Sequence, residues 1–229
     1  MNQILPIQTE PPKRTDPRLR EKALKVLDIL EKAYPEAQCA LNFANPFQLL
    51  VATILSAQCT DQQVNRVTLG LFQNFPDAET LAEADPSELE NLIRPTGFFR
   101  NKARNLTACA RALVERHGGR VPETLEELVL LPGVGRKTAN VVLGNVFKVP
   151  GMVVDTHVKR VAFRLGWTGK SDPGKIEREL CGLLPVEKWI QAGHILIFHG
   201  RRICKAPTPL CSRCPVQDFC PRAGVKKSR

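Results

Sequence analysis

The chain has 229 residues, 43% of them hydrophobic and 24% charged, with 33 Lys and Arg against 23 Asp and Glu for a formal net charge of +10. Those proportions exclude a disordered or fibrous chain, and no apolar run approaches the length of a membrane span. With no secretory segment after Met1, a cytoplasmic, nucleoid-associated monomer with no membrane partner is expected, and the basic balance points to a polyanion bound in a salt-dependent way.

Residues 1–17, with Pro6, Pro11, Pro12 and Pro17, read as a flexible leader. Leu19, Ala23, Val26, Leu27, Leu30 and Ala33 recur at helical spacing, predicting a helix over Arg18–Tyr34 that Pro35 ends. Asn45-Pro46 opens the next helix, and Phe47–Ala57 is apolar almost all round, the mark of a central buried helix. Gln58-Cys59-Thr60-Asp61 breaks that run, and Thr60 or Asp61 caps a helix through Phe72. Asp85-Pro86-Ser87-Glu88 starts another helix, to Ile93, and Gly97-Phe98-Phe99 is a turn carrying two aromatics. A longer helix follows from Asn101 to His117 and stops at Gly118-Gly119.

Thr124 with Glu127 has the capping-box pattern of a short helix, which Pro132 should stop. Gly133 and Gly135 are free to take the positive φ of a tight hairpin. From Arg136 to Phe147 the apolar spacing is helical again, giving helix, hairpin, helix. Backbone N–H groups of the hairpin and of the second helix's first turn then have no intrahelical partner and suit a phosphate. Taken alone, Pro132-Gly133-Val134-Gly135 is equally an ordinary interhelical turn.

Val149-Pro150-Gly151 is a connector, and Asp155 precedes a basic amphipathic helix over Thr156–Arg164. Gly174–Leu184 and Val186–Gly200 read as the last helices. No strand-like alternation occurs, so the fold class is all-α. Cys39, Cys59, Cys109 and Cys181 read as small buried apolar residues, whereas Cys204, Cys211, Cys214 and Cys220 form a C-x6-C-x2-C-x5-C set near the C-terminus. Four thiolates so close in sequence suit one metal centre; the spacing leaves zinc and an iron–sulfur cluster open. Residues 201–224 have too few apolar side chains to fold by burial, so ligand bonds must order them. Lys205 and Arg213 are either solvated charges or phosphate contacts.

Together, Leu131–Val142, Val154-Asp155-Thr156-His157, His199-Gly200-Arg201, the four-cysteine loop and Leu55-Ser56-Ala57-Gln58 with Thr60-Asp61 resemble the endonuclease III family of helix–hairpin–helix DNA glycosylases. The resemblance runs from about Arg18 to Cys220. It implies two helical domains with a DNA-binding cleft between them: a six-helix domain over 39–149, and a discontinuous one, 18–38 plus 150–229, around a 4Fe–4S cluster held by Cys204, Cys211, Cys214 and Cys220. It also implies a bifunctional glycosylase and abasic-site lyase that removes oxidised pyrimidines from duplex DNA. A monofunctional mismatch or adenine glycosylase and a non-catalytic DNA-binding module are the alternatives.

Lys137 holds the position of the family's nucleophile; otherwise it is a phosphate contact. An attacking amine must be neutral, and the helix N-terminus, Arg136 and a partly dry cleft are expected to favour that form. Asp155 holds the position of the catalytic carboxylate, and Asp before a helix is also a common N-cap. Gly133, Val134, Gly135 and Arg136 would hold phosphates, and His157 would contact a phosphate or the capping turn. Gln58 matches the glutamine that fills the gap left by a flipped nucleotide. Phe98 stands where relatives carry an aliphatic wedge, and only one of Phe98 and Phe99 is free to face DNA.

Overall fold

The structure is a computed structural model that describes residues 16–229. Among the described residues there are eleven α-helices, short 3-10 or π turns, and no strand. In chain order they are α1 (Pro17–Ala33), α2 (Pro46–Leu55), α3 (Asp61–Asn74), α4 (Ala78–Ala82), α5 (Pro86–Ile93) and α6 (Phe99–His117). Then come α7 (Leu125–Leu128), α8 (Arg136–Val142), α9 (Thr156–Arg164), α10 (Pro173–Leu183) and α11 (Trp189–Arg202). Among the described residues no helix is long and apolar enough to cross a membrane.

Eight of the eleven begin on a side-chain cap: Asp16, Asn45, Thr60, Asp77, Asp85, Thr124, Asp155 and Asp172 each accept a hydrogen bond from a first-turn amide. That satisfies donors that a helix start otherwise leaves to solvent. The exceptions are α6, α8 and α11. Two of these uncapped starts, at Phe98 and Gly135, coincide with residues singled out from the sequence as DNA contacts.

The chain divides into two compact units. One is Cys39–Val149, built around α2, in which Leu49, Leu50, Ala52 and Leu55 are wholly inaccessible. Leu71, Leu89, Ile93, Leu106, Leu113 and Leu128 close over it. Each such aliphatic side chain contributes about 1.5–3 kcal/mol by leaving water, which explains why an almost uniformly apolar segment sits at the centre. The other unit takes the chain up to Gln38 together with Pro150–Arg229. Its core joins Leu27 and Leu30 of α1, Val158 and Val161 of α9, Ile176 and Leu180 of α10, and Ile195 and Leu196 of α11.

Several boundaries differ from the sequence expectation. The leader falls largely on residues 1–15, outside the described residues, but Asp16 and Pro17 cap and open α1 instead of belonging to it. Helix α4 was not legible as a helix; Asp77 starts it through Thr80 N at 2.9 Å. Helix α7 ends at Leu128, well before Pro132, because the chain tightens into single turns from Leu130 N to Glu127 O and from Leu131 N to Leu128 O. These turns bury Leu128 and Leu131 while leaving Leu130 outside. Of the two hairpin glycines only Gly133 has positive φ, +76°; Gly135 is extended at −93°, as an N-cap residue must be. Only Cys109 of the four scattered cysteines is fully buried, while Cys39, Cys59 and Cys181 lie half-buried at core edges.

Candidate active site and cysteine cavity

The hairpin is pinned from below. Leu131 and Val134 bury their side chains in the core, and Val134 N donates to Leu131 O at 3.1 Å. Val134 therefore has only backbone to offer a ligand. Gly133, Gly135 and Arg136 are exposed above it. Since Gly135 has no side-chain oxygen, α8 starts without a cap and turns its first amides outward. Lys137, in that first turn, is exposed, and its side chain makes no hydrogen bond or ion pair with any described residue. The partial drying expected around Lys137 is not supplied by its own unit: the side chain stands in water. Beyond Val142 the helix continues as a π turn, Leu143–Phe147, which ends at a left-handed Lys148.

Gln58 and Phe98 occupy two tips of the same unit, and both have left-handed backbone, φ +53° and +48°. Gln58 follows the C-terminus of α2; Phe98 immediately precedes α6. Both are exposed, Phe98 to 64%. Phe99 takes the core role instead, packed on the hydrophobic cluster with the guanidinium groups of Arg94 and Arg100 at 5.4 and 5.3 Å from its ring centre. Beneath the tips lies a residue that sequence reasoning missed. Lys102 is 5% exposed, and its Nζ donates to Leu55 O at 2.8 Å and Thr96 O at 2.7 Å. A lysine in a helix ordinarily reads as a solvated charge, and nothing in its spacing signals these carbonyls.

In the other unit, Asp155 caps α9: its Oδ1 accepts from His157 N and Val158 N, both at 2.8 Å. Oδ2 makes no hydrogen bond with a described residue. His157 is half-buried, with its Nδ1 3.1 Å from Arg160 Nη2 and its Cβ against Gly200. Burial pushes its imidazole below the ordinary value, partly opposed by Asp155.

The basic face of α9 serves the cysteine loop. Arg160 donates to Cys204 O and Gly200 O, while Arg164, 8% exposed, donates to Cys204 O, Lys205 O and the Cys204 sulfur. The spacing of Arg160 and Arg164, one turn apart beside buried Val161, was the available signal. Lys205 and Arg213 are exposed on the loop.

Cys204, Cys211, Cys214 and Cys220 all line a single, mostly apolar cavity that Val161, Leu165, Ile203 and Val216 also wall. Burial pushes the Cys214 thiol up to about 11, and charge on the other three cysteines pushes it the same way, so the four sulfurs stand within each other's field. Among the described residues no three His, Cys, Asp or Glu side chains converge on a single-ion site. Behind Cys214, Tyr34 Oη lies 2.9 Å from His199 Nδ1 and His199 Nε2 lies 3.7 Å from the Cys214 sulfur. Burial holds His199 down to about 4, hence neutral.

Residues 51–185 match the model of the HhH-GPD superfamily base excision DNA repair proteins. Endonuclease III of Synechocystis is 52% identical over 205 residues, covering 89% of this chain and 94% of the relative. Endonuclease III of Bacillus subtilis is 46% identical over 206 residues, covering 89% and 93%. A solved structure of a trapped endonuclease III–DNA covalent intermediate superposes with a TM-score of 0.85 at 43% identity, covering 89% of this chain and 96% of that one.

Proposed function

Since the chain belongs to the endonuclease III family of HhH-GPD base excision DNA repair proteins, we propose that it excises oxidised pyrimidines from duplex DNA with Lys137 as the attacking amine. It is a DNA glycosylase and abasic-site lyase of base excision repair. The observation that carries the role of Lys137 is a primary amine left without a partner among the described residues on the first turn of α8, directly after the hairpin.

The neutral Nζ attacks C1′, the bond from C1′ to the base nitrogen breaks, and the sugar ring opens to a Schiff base. The iminium withdraws electrons from the neighbouring C2′, which gives up a proton. The C3′–O bond then breaks with the 3′ phosphate as leaving group, and water releases the lysine. Because Lys137 is exposed in its own unit, desolvation of the amine falls to the bound duplex.

A carboxylate is needed to move protons and to oppose the positive charge that grows at C1′. Asp155 suits that role: Oδ1 is fixed by two amides while Oδ2 is left available. Gly133, Gly135 and Arg136 hold backbone phosphates, through amides above all, while Val134, its amide given to Leu131 O, supports the hairpin from below. His157, on α9, serves as a further phosphate contact, its ring held by Arg160. Gln58 and Phe98 occupy the space of the displaced nucleotide, offsetting an unstacking cost of a few kcal/mol. A ring at Phe98 stacks where an aliphatic wedge would only separate bases.

Cys204, Cys211, Cys214 and Cys220 would hold a 4Fe–4S cluster. Four sulfurs around one apolar cavity suit a shared group, and membership of the endonuclease III family favours a cluster over zinc. Such a cluster supplies cross-links that order the loop. The enzyme is read as a monomer.

Borohydride tests the mechanism. It should trap this protein covalently on duplex DNA bearing thymine glycol or an abasic site, and Lys137→Ala should abolish the adduct while retaining DNA binding. Strand cleavage by the alanine variant would overturn the assignment.

A further inference from the structure

The two tips read as entering DNA share one buried support. Leu55 O is among the last carbonyls of α2, which a helix end leaves without amide partners, and Thr96 O ends the 3-10 turn Arg94–Thr96 before Gly97 and Phe98. Lys102 Nζ bridges the two, at 2.8 and 2.7 Å. Its own amide donates to Phe98 O at 3.1 Å. One residue thus holds the stem of the Gln58 tip and both sides of the Phe98 tip.

The choice of lysine has a physical reason. A compact ammonium offers three donors, and charge-assisted bonds to carbonyls are stronger than neutral ones. The negative end of the α2 dipole favours a cation there. Burial pushes the amine below its ordinary value, so without the two carbonyls a charge here would be costly. The tips themselves are non-glycine residues at positive φ, a conformation that persists only while its surroundings hold it.

We infer that Lys102 is a positioning residue that fixes the Gln58 and Phe98 tips relative to each other, so that both enter the duplex in one step. The inference rests on the reading of Gln58 and Phe98 as residues that fill the displaced nucleotide's place. Lys102 touches no reacting atom and acts only through the two tips.

The experiment uses the full chain, isolated with its bound metal centre, under single-turnover conditions on duplex DNA containing one thymine glycol. Lys102→Met is placed in the wild-type chain and in a Gln58→Ala/Phe98→Ala chain. The expected result is at least a tenfold loss of excision rate in the first background and less than a twofold further loss in the second, since the support has nothing left to position. Borohydride trapping on a single-stranded abasic oligonucleotide should stay within threefold of wild type. Equal losses in both backgrounds, or no loss in the first, overturn the inference. Should Lys102→Met lack the wild-type helical circular dichroism, Lys102→Arg, which keeps the charge but changes the shape of the donor head, carries the same comparison with the same outcomes. A wild-type chain that traps on neither DNA overturns the reading beneath it, which separates that failure from this one.

Discussion

A Cβ added to Gly133 would lie 3.0 Å from the Cβ of Asn105 on α6, so the hairpin bends directly against that helix. Gly133 also has φ +76°, whereas Gly135 is extended and a Cβ there meets nothing within 4 Å. Gly133→Ala should therefore cost about 1–2 kcal/mol in urea unfolding from the left-handed backbone alone, with more from the contact. Gly135→Ala should stay within about 0.5 kcal/mol of wild type. Any loss of affinity for abasic-site DNA in the second variant then measures the approach of a phosphate to Gly135. Equal destabilisation by both would refute the division.

Asp155 carries two assignments that one pair of variants separates. Asparagine keeps an Oδ1 for His157 N and Val158 N, so Asp155→Asn should retain the cap. It should lose at least about a hundredfold in single-turnover excision, the scale of a positioned acid–base group. Asp155→Ala should lose the same activity and a further ~1 kcal/mol of stability, because two first-turn amides lose their acceptor. Full activity in Asp155→Asn would leave the residue as a cap alone.

Most helices were legible because their signals are local: Asn45-Pro46, Thr60, Asp85-Pro86, Asp155 and the Gly118-Gly119 stop act within a few residues of where they stand. The turn at Gly133 and the start of α8 were legible for the same reason. Lys102 was not, because its partners Leu55 O and Thr96 O come from other elements and nothing in its own helix announces them. Nor were the left-handed tips, since neither Gln58 nor Phe98 is a residue type that prefers that region. Arg160 and Arg164 read only as part of a basic amphipathic helix, and the fold spends them on the carbonyls of the cysteine loop. The sign of a charge was readable from the chain; its direction required the fold.

Helix α4, unmarked by any apolar period, depends on Asp77, whose Oδ1 accepts from both the amide and the hydroxyl of Thr80. Those bonds hold the Asp77 carboxyl below its ordinary value. A depressed carboxylate stabilises the fold above its unfolded-state value and loses that contribution as pH falls through the folded one. Asp77→Ala should cost about 1 kcal/mol at neutral pH. The gap between wild type and variant should close in urea titrations taken below the ordinary carboxylate value of 3.8. A gap that persists in acid would show that packing, not the cap, sets the loss.

The cysteine loop makes the last prediction. Val216 is wholly buried, Pro209 is covered and Phe219 packs on the core, while the Arg160 and Arg164 side chains secure the loop at Cys204 and Lys205. Cys220 also donates to Arg164 O at 3.3 Å, yet such contacts are few for a segment of this length, and bonds from Cys204, Cys211, Cys214 and Cys220 to a shared group are expected to complete its order. The isolated protein should be brown, with iron and no zinc in elemental analysis. Cys214→Ser should bleach it and open the loop to trypsin at Lys205 and Arg213, both exposed, with cleavage faster by roughly tenfold or more, as expected when local opening loses its restraint. Because α2 and its neighbours form a core with no cysteine ligand in it, fragments containing Cys39–Val149 should persist in the same digest. A colourless zinc protein, or a Cys214→Ser loop as resistant as wild type, would remove the cluster from the account of how this segment folds.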